Sequence, residues 1–450
     1  MAKPTVEKAP RFDPSKDIGS FQDLFKYFED YDATDKKGRY LHWSQLKWRV
    51  PKGEEENIWK AVKFKRISLM KPLRLKDEKG ASFTYCTPHS MEAMLHQVVK
   101  LAGGNVGGSD DSGGSDRLQN RFLVSALIME EAITSAQLEG ASTTREVAKK
   151  MLEDDREPVD EDERMILNNY LLLKYAESVK DEELSIDLIL EFHRIATFGT
   201  TENNVCPGEF RQNNEIYVED GDGNIAHQPP DFNLIQDRLF SFCEFANSDH
   251  SGLNGSSFIA PVVKAIILHF MIGYEHPFRD GNGRTARAIF YWYMLKCEYK
   301  LFKYVSISKL LKEKPKEYGL SFMYTEKDQN DLTYFIYFQL EIILASFKEL
   351  ENYLDEKARE FQKIAQVLDK TKWGNVLNFV QKDLLKKAVK EPGRLFTAKE
   401  VSVSYSISHN TSRTYLNKLV DHKLFLSSKD GKTIVYIAPS DLVSKLEAKN

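Results

Sequence analysis

The sequence predicts a mainly α protein: a helical bundle with one small β-hairpin, followed by a separate C-terminal unit of two helices and a hairpin. Three observations predict it. Apolar residues recur at helical spacing through most of the stretch from 121 to 368. A short β-like stretch interrupts them near 216–227. The tail, Leu395 to Ala438, changes pattern again.

Taken in order, the first hundred residues set Trp43, Leu46, Trp48 and Trp59 among many charges, and Met91 to Leu101 reads as an amphipathic helix. The Gly/Ser/Asp run from Gly103 to Asp116 lacks both the Lys-Ser/Thr ending and the preceding strand of a phosphate loop, so it reads as a flexible connection. Phe122, Ala126, Met129, Ile133 and Leu138 predict a helix over Arg121 to Leu138, with Gly140 as its cap. Further helices follow at Thr144–Leu152, Asp162–Ser178 and, behind the Ser185 cap, Ile186–Ala196. Ile216 to Val218 and Ile225 to His227, joined by Asp220-Gly-Asp-Gly-Asn224, predict the hairpin. Helices resume at Leu234–Ala246, Val262–Tyr274 and Thr285–Lys296. Residues 331–368, free of Gly and Pro, form one long helix or two with a small break. The tail reads helix (Ala398–Ser402), helix (Thr411–Lys423), then strands Leu424–Leu426 and Ile434–Ile437, the winged-helix order.

At 450 residues three domains are expected: an N-terminal extension (1–120), a central domain (121–365) and the tail unit (375–445). Sixty-three basic against 67 acidic residues give −4, which excludes a chain-wide basic surface. Four scattered cysteines, with no CxxC pair, argue against a disulfide scaffold or zinc ribbon and fit a reducing compartment. The N-terminus lacks the apolar core of a signal peptide, and the longest apolar stretch, Ala265 to Ile272, is too short to span a bilayer. A cytoplasmic protein with no membrane partner is expected.

The chemistry concentrates in His276-Pro-Phe-Arg-Asp-Gly-Asn-Gly-Arg-Thr-Ala-Arg287. Pro277 biases His276 out of helical geometry and so ends the preceding helix. Gly281 and Gly283 allow close backbone approach, and the next helix aims its N-terminal amides at the loop, which is an anion site. Arg284 and Arg287, three apart, share a helix face and can reach phosphate oxygens. Asp280 offers a hard oxygen ligand for Mg²⁺ and His276 a base near neutral pH. Together these make a phosphoryl- or nucleotidyl-transfer kit. A dinucleotide fingerprint at Gly281–Ala286 fails because a helix, not a strand, precedes it. His269 and His276 lack the company of a metal site, and His269 reads as a core histidine.

This segment resembles the Fic-domain signature, His-x-Phe-x-Asp/Glu-Gly-Asn-Gly-Arg-x-x-Arg, with every defined position matching. The resemblance spans roughly Arg121 to Leu350 and implies a Fic-type helical bundle that transfers AMP from ATP to a hydroxyl of a target protein. It makes His276 the general base and Asp280 the Mg²⁺ ligand. Gly281, Asn282 and Gly283 become the phosphate cradle, and Arg284 and Arg287 the phosphate clamps. The hairpin, about 215–228 (Tyr217, Val218, Ile225, Ala226, His227), resembles the family's flap, which docks the target by strand addition. Gly208-Glu-Phe-Arg211 also resembles the family pattern. Ser135-Ala-Gln-Leu-Glu139-Gly140 resembles the inhibitory helix, Ser/Thr-x-x-x-Glu-Gly/Asn, of self-inhibited members, here in the helix at about 121–140. A Glu139 carboxylate paired with Arg287 would take a cation from the γ phosphate.

Two departures stand out. Glu275 precedes the catalytic histidine where an apolar residue is usual, and Tyr318-Gly319 stands where many members have paired tyrosines lining the adenine pocket. The implied partners are ATP, Mg²⁺ and a protein bearing a Ser, Thr or Tyr hydroxyl, the chain itself included. Removal of AMP at the same site and a nucleotide-sensing DNA-binding regulator are the competing functions. In 395–438, six basic residues less three acidic give +3, with Thr411, Ser412, Arg413 and Tyr415 on the second helix, so DNA and protein both stay open as its partners. Pairing of two copies through long helices, a homodimer, is open as well.

Overall fold

The computed structural model describes residues 6–13, 24–102, 128–153, 156–201, 204–219, 223–253, 255–369, 373–390, 394–430, 433–439 and 442–447. The Gly103–Asp116 run, residues 121–127 of the expected helix and the Asp220–Asp222 turn lie outside them.

Two helices sit at the centre because one is apolar nearly all round and the other becomes so beyond its polar first turns, a pattern that only a fully enclosed helix tolerates. These are α8 (Pro261–Glu275) and α9 (Asn282–Lys296), and almost every side chain on both is buried. Around them pack α5 (Glu161–Ser178), α6 (Ile186–Thr197), α7 (Ile235–Asn247) and α12 (Thr333–Asp369). The stretch expected as one long helix or two is a single helix. Gly273 in α8 permits a close crossing, since a Cβ there would lie 2.9 Å from the Phe322 ring. The helix over 128–138, α3, and α4 (Arg145–Glu153) pack on α5 through Met129, Ile133, Ala136, Met151 and Ile166. Short α10 (Ile307–Glu313) and α11 (Pro315–Lys327) close the bundle, which is mainly α as expected.

The first hundred residues hold an element that their mixed composition hid. After α1 (Glu55–Ile67), strands β1 (Met70–Lys76) and β2 (Ser82–Cys86) form an antiparallel hairpin before α2 (His89–Ala102). Leu73, Leu75, Phe83, Tyr85 and Met91 enter the same apolar core as α8 and α9, so this part of the 1–120 region shares the core of the bundle. A buried polar cluster joins them. Lys63 donates to both Asp328 oxygens at 3.0 Å, Arg66 donates to Tyr334 at 2.9 Å, and Tyr40 donates to Asp331 at 2.7 Å. Burial alone would protonate Asp328, but the facing Lys63 holds its carboxyl below the usual range.

The small hairpin pairs β3 (Val218–Glu219) with β4 (Ile225–His227), its first strand starting two residues later than the Ile216 expected. The tail has its own apolar core. There α14 (Ala398–Tyr405) and α15 (His409–Asp421) precede β6 (Leu426–Asp430) and β7 (Thr433–Ile437), and β7 also pairs with β5 (Leu395–Thr397). Among the described residues, no helix is long and apolar enough to cross a membrane.

Removing one partner of a buried ion pair leaves the other charge stranded. Lys63→Ala is therefore expected to lower unfolding stability by about 3–5 kcal/mol in a urea titration. Exposed Asn57→Ala, in the same helix, is the control and changes it little.

Candidate active site

Helix α8 ends at His276, whose φ of 43° is left-handed and carries the C-cap of the helix. Gly281 then adopts φ +77°, and a Cβ there would lie 2.7 Å from Thr197 Cγ2, so only glycine fits. The second helix starts at Asn282, not at Thr285 as its glycine-rich approach suggested. The reason is the Asn282 side chain, whose Oδ1 accepts from Phe278 N–H at 3.0 Å while Nδ2 donates to Phe278 O at 2.9 Å. That clasp lets Gly283 and Arg284 join the first helical turn, where backbone N–H groups have no intrahelical partners. Their donors and the positive helix end face one point.

His276 Nδ1 donates to Gly273 O at 3.3 Å, which leaves the Nε2 lone pair as the acceptor. Burial lowers its pKa to about 4, so the ring is neutral at physiological pH. Arg211, in the Gly208–Arg211 segment, donates from Nε to His276 O at 2.9 Å and from its backbone to Pro277 O at 2.9 Å. The histidine of α6, His193, escaped sequence reasoning. It stacks on Phe278 with centroids 3.7 Å apart, donates from Nε2 to Asp280 O at 2.9 Å and accepts Gly208 N–H at Nδ1 at 3.0 Å. Its signal, a lone His on an apolar helix, is one that a core histidine also gives.

The two arginines leave α9 in different directions. Arg284 donates to Ala196 O at 2.9 Å and to Asp280 Oδ2 at 3.0 Å. Arg287 turns to α3, donating to Ser135 Oγ at 2.9 Å, Ser135 O at 3.2 Å and Glu139 Oε1 at 2.8 Å. Its buried Nη1 finds no partner among the described residues. The Glu139 carboxylate lies against Gly283, in the space a Cβ at that position would need. Burial opposes ionisation of Glu139, but Arg287 and Arg284 outweigh it and hold the carboxyl below its ordinary range. An anion thus rests on the α9 N-terminus.

The unusual Glu275 is explained by its neighbour: it is buried and takes Arg238 Nε at 2.6 Å and Nη2 at 2.8 Å. Arg238 also donates to Lys76 O at 2.8 Å, wiring β1 to the residue before His276. In the flap, His227 is buried while Tyr217 and Ile225 are exposed; Val218 and Ala226 are half-buried. Tyr318 bonds through its hydroxyl to His269 Nε2 at 2.9 Å and packs among Phe322, Phe335 and Phe338. Among the described residues no three His, Cys, Asp or Glu side chains converge on a metal position. Asp280, a single partly exposed carboxylate, suits a Mg²⁺ that takes one protein carboxylate and completes its shell with water and substrate phosphates.

Residues 183–294 match the Fic/DOC family. The protein adenylyltransferase Fic of Drosophila ananassae is 34% identical over 158 residues, 35% of this chain and 29% of that relative. The Drosophila melanogaster relative of the same name gives the same figures. The chain therefore spans under a third of the length of the curated relatives it matches. Similar solved structures are a Fic family protein from Desulfovibrio desulfuricans (TM-score 0.48, 16% identity, 77% of this chain and 96% of that one) and Fic-1 from C. elegans (TM-score 0.44, 21% identity, 59% and 73%).

Both nitrogens of His227 face acceptors, Glu326 Oε2 at 2.9 Å and Tyr274 O at 2.7 Å, and only the imidazolium can donate to both. Burial opposes the charge, but Glu326 overrides it and raises the pKa. The anchor is therefore fully present below about 6.5 and lost as pH rises through the raised value. Amide exchange at 225–227 is expected to speed up over that rise, more steeply than hydroxide catalysis alone, and to lose the step in His227→Gln.

Proposed function

Residues 183–294 are a Fic/DOC domain, and from that premise we propose that the chain transfers AMP from ATP to a hydroxyl of a protein and is held off by its own Glu139. The hydroxyl oxygen attacks the α-phosphorus, the bond to the β-phosphate breaks, and pyrophosphate leaves. His276 Nε2 takes the hydroxyl proton, a role its neutral ring and free lone pair suit. The amides of Gly281, Asn282 and Gly283, with Arg284 and Arg287, hold the phosphates. Asp280 would hold Mg²⁺, which neutralises phosphate charge when bound. Tyr318 lines the adenine side. The flap strands, with Tyr217, Val218, Ile225, Ala226 and His227, lay the target segment beside His276.

One observation carries the reading. Glu139 and Ser135 occupy the Arg287 guanidinium, and the Glu139 carboxylate rests on Gly283 where a phosphate would sit. A phosphate cradle is the arrangement that a built-in carboxylate would close. We further assign 375–445 to a winged helix; exposed Asn410, Arg413 and Thr414 on one face of α15 support DNA as its partner.

Incubation with labelled ATP tests this. Weak self-labelling is expected in the native chain. Glu139→Gly is expected to raise it about tenfold or more, the equivalent of one ion pair of ~1.4 kcal/mol. His276→Ala is expected to lower the rate by about 10²–10⁴. Equal labelling in all three excludes the proposal.

A further inference from the structure

Glu131, Ser135 and Glu139 are spaced by four, so they form one stripe along α3 and its end. The second and third members engage Arg287. The first has a different and larger set of bonds. Glu131 is 3% exposed, yet its carboxylate accepts Ser306 Oγ–H at 2.8 Å, Ser308 N–H at 3.1 Å and Ser308 Oγ–H at 2.5 Å. Burial raises the Glu131 pKa while these three donors favour its carboxylate, and Ser308 is wholly buried beside it. The contact continues along the same helix: Thr134 Oγ1 lies 3.0 Å from Ser306 Oγ, and Lys312 donates to Gln137 at 2.8 Å. All of these partners belong to α10 or its cap, not to the phosphate cradle.

Resting on the inhibition proposed above, we infer that Glu131 is a positioning residue of that inhibition: its grip on Ser306 and Ser308 sets how long the helix bearing Glu139 stays docked. The blocking carboxylate at 139, itself partly exposed, makes a single ion pair with buried Arg287, whereas Glu131 takes three donors in a buried setting. Charge-assisted bonds in a buried setting hold a helix strongly. Blocking and holding are thus divided between two glutamates of one stripe. Release at α10 would free Arg287 without any ligand entering the cradle.

The test is epistasis. Glu131→Gln keeps the size of the side chain but turns an amide toward the Ser308 donors. It is expected to raise self-labelling about tenfold in the native background, the equivalent of one charge-assisted hydrogen bond. In the Glu139→Gly background it is expected to raise it no further. Amide exchange over 131–138 is expected to accelerate in Glu131→Gln and unchanged in Glu139→Gly. Ser308→Ala, which removes one donor and leaves Glu131 in place, is expected to act in the same direction by a smaller factor. A similar loss of labelling in both backgrounds, or no change in exchange, overturns the inference and makes Glu131 a plain packing residue. If Glu139→Gly itself fails to activate, the reading of inhibition falls instead, while exchange still reports whether Glu131 docks the helix.

Discussion

The structure depends on joining two buried helices by a loop too short to be slack. Between the left-handed His276 and the left-handed Gly281 lie only four residues. That loop is pinned from every side. Asn282 clasps Phe278 from within, His193 holds the Asp280 carbonyl from α6, and Arg211 holds the carbonyls of His276 and Pro277. Each pin is a hydrogen bond to backbone, so the side chains of the loop remain available for chemistry. Rigid placement of this kind lets a neutral imidazole and a row of amides converge without reorganisation at the moment of reaction.

Charge around this frame is arranged by opposition. Arg287 is a buried cation against Glu139, with Glu131 adding a lesser attraction, and Arg284 is a buried cation against Asp280. Neither arginine could stay buried without such company. In the proposed reading a nucleotide brings its own negative charge and exchanges with Glu139 for the same guanidinium. Arg287 Nη1, without a partner among the described residues, is then the donor that the internal carboxylate leaves unused.

Much of this was legible in the sequence because motif chemistry is local. The two long apolar helices, the cap at Gly140 and the twelve-residue loop segment are short-range patterns, and the bundle follows their period. What stayed hidden depends on tertiary pairing. Glu275 looked anomalous until α7 brought Arg238 to it, and His193 looked like core until Asp280 and Gly208 met its nitrogens. The β1–β2 hairpin was hidden among charged residues, since its alternation is broken by a bulge between Pro72 and Lys76. The early start of α9 was missed because glycines weaken helix propensity, a preference the Asn282 clasp overrides.

Gly283 draws these threads to one atom. A Cβ there would run into the Glu139 carboxylate and lie 3.1 Å from Arg287 Nη1. A methyl group there would evict the internal acid and, by the same intrusion, crowd whatever anion took its place. In the proposed reading, loss of restraint and loss of competence would arrive together, so no side chain at this position can separate them. The bare backbone is what would allow one seat to serve the two successive occupants that reading requires.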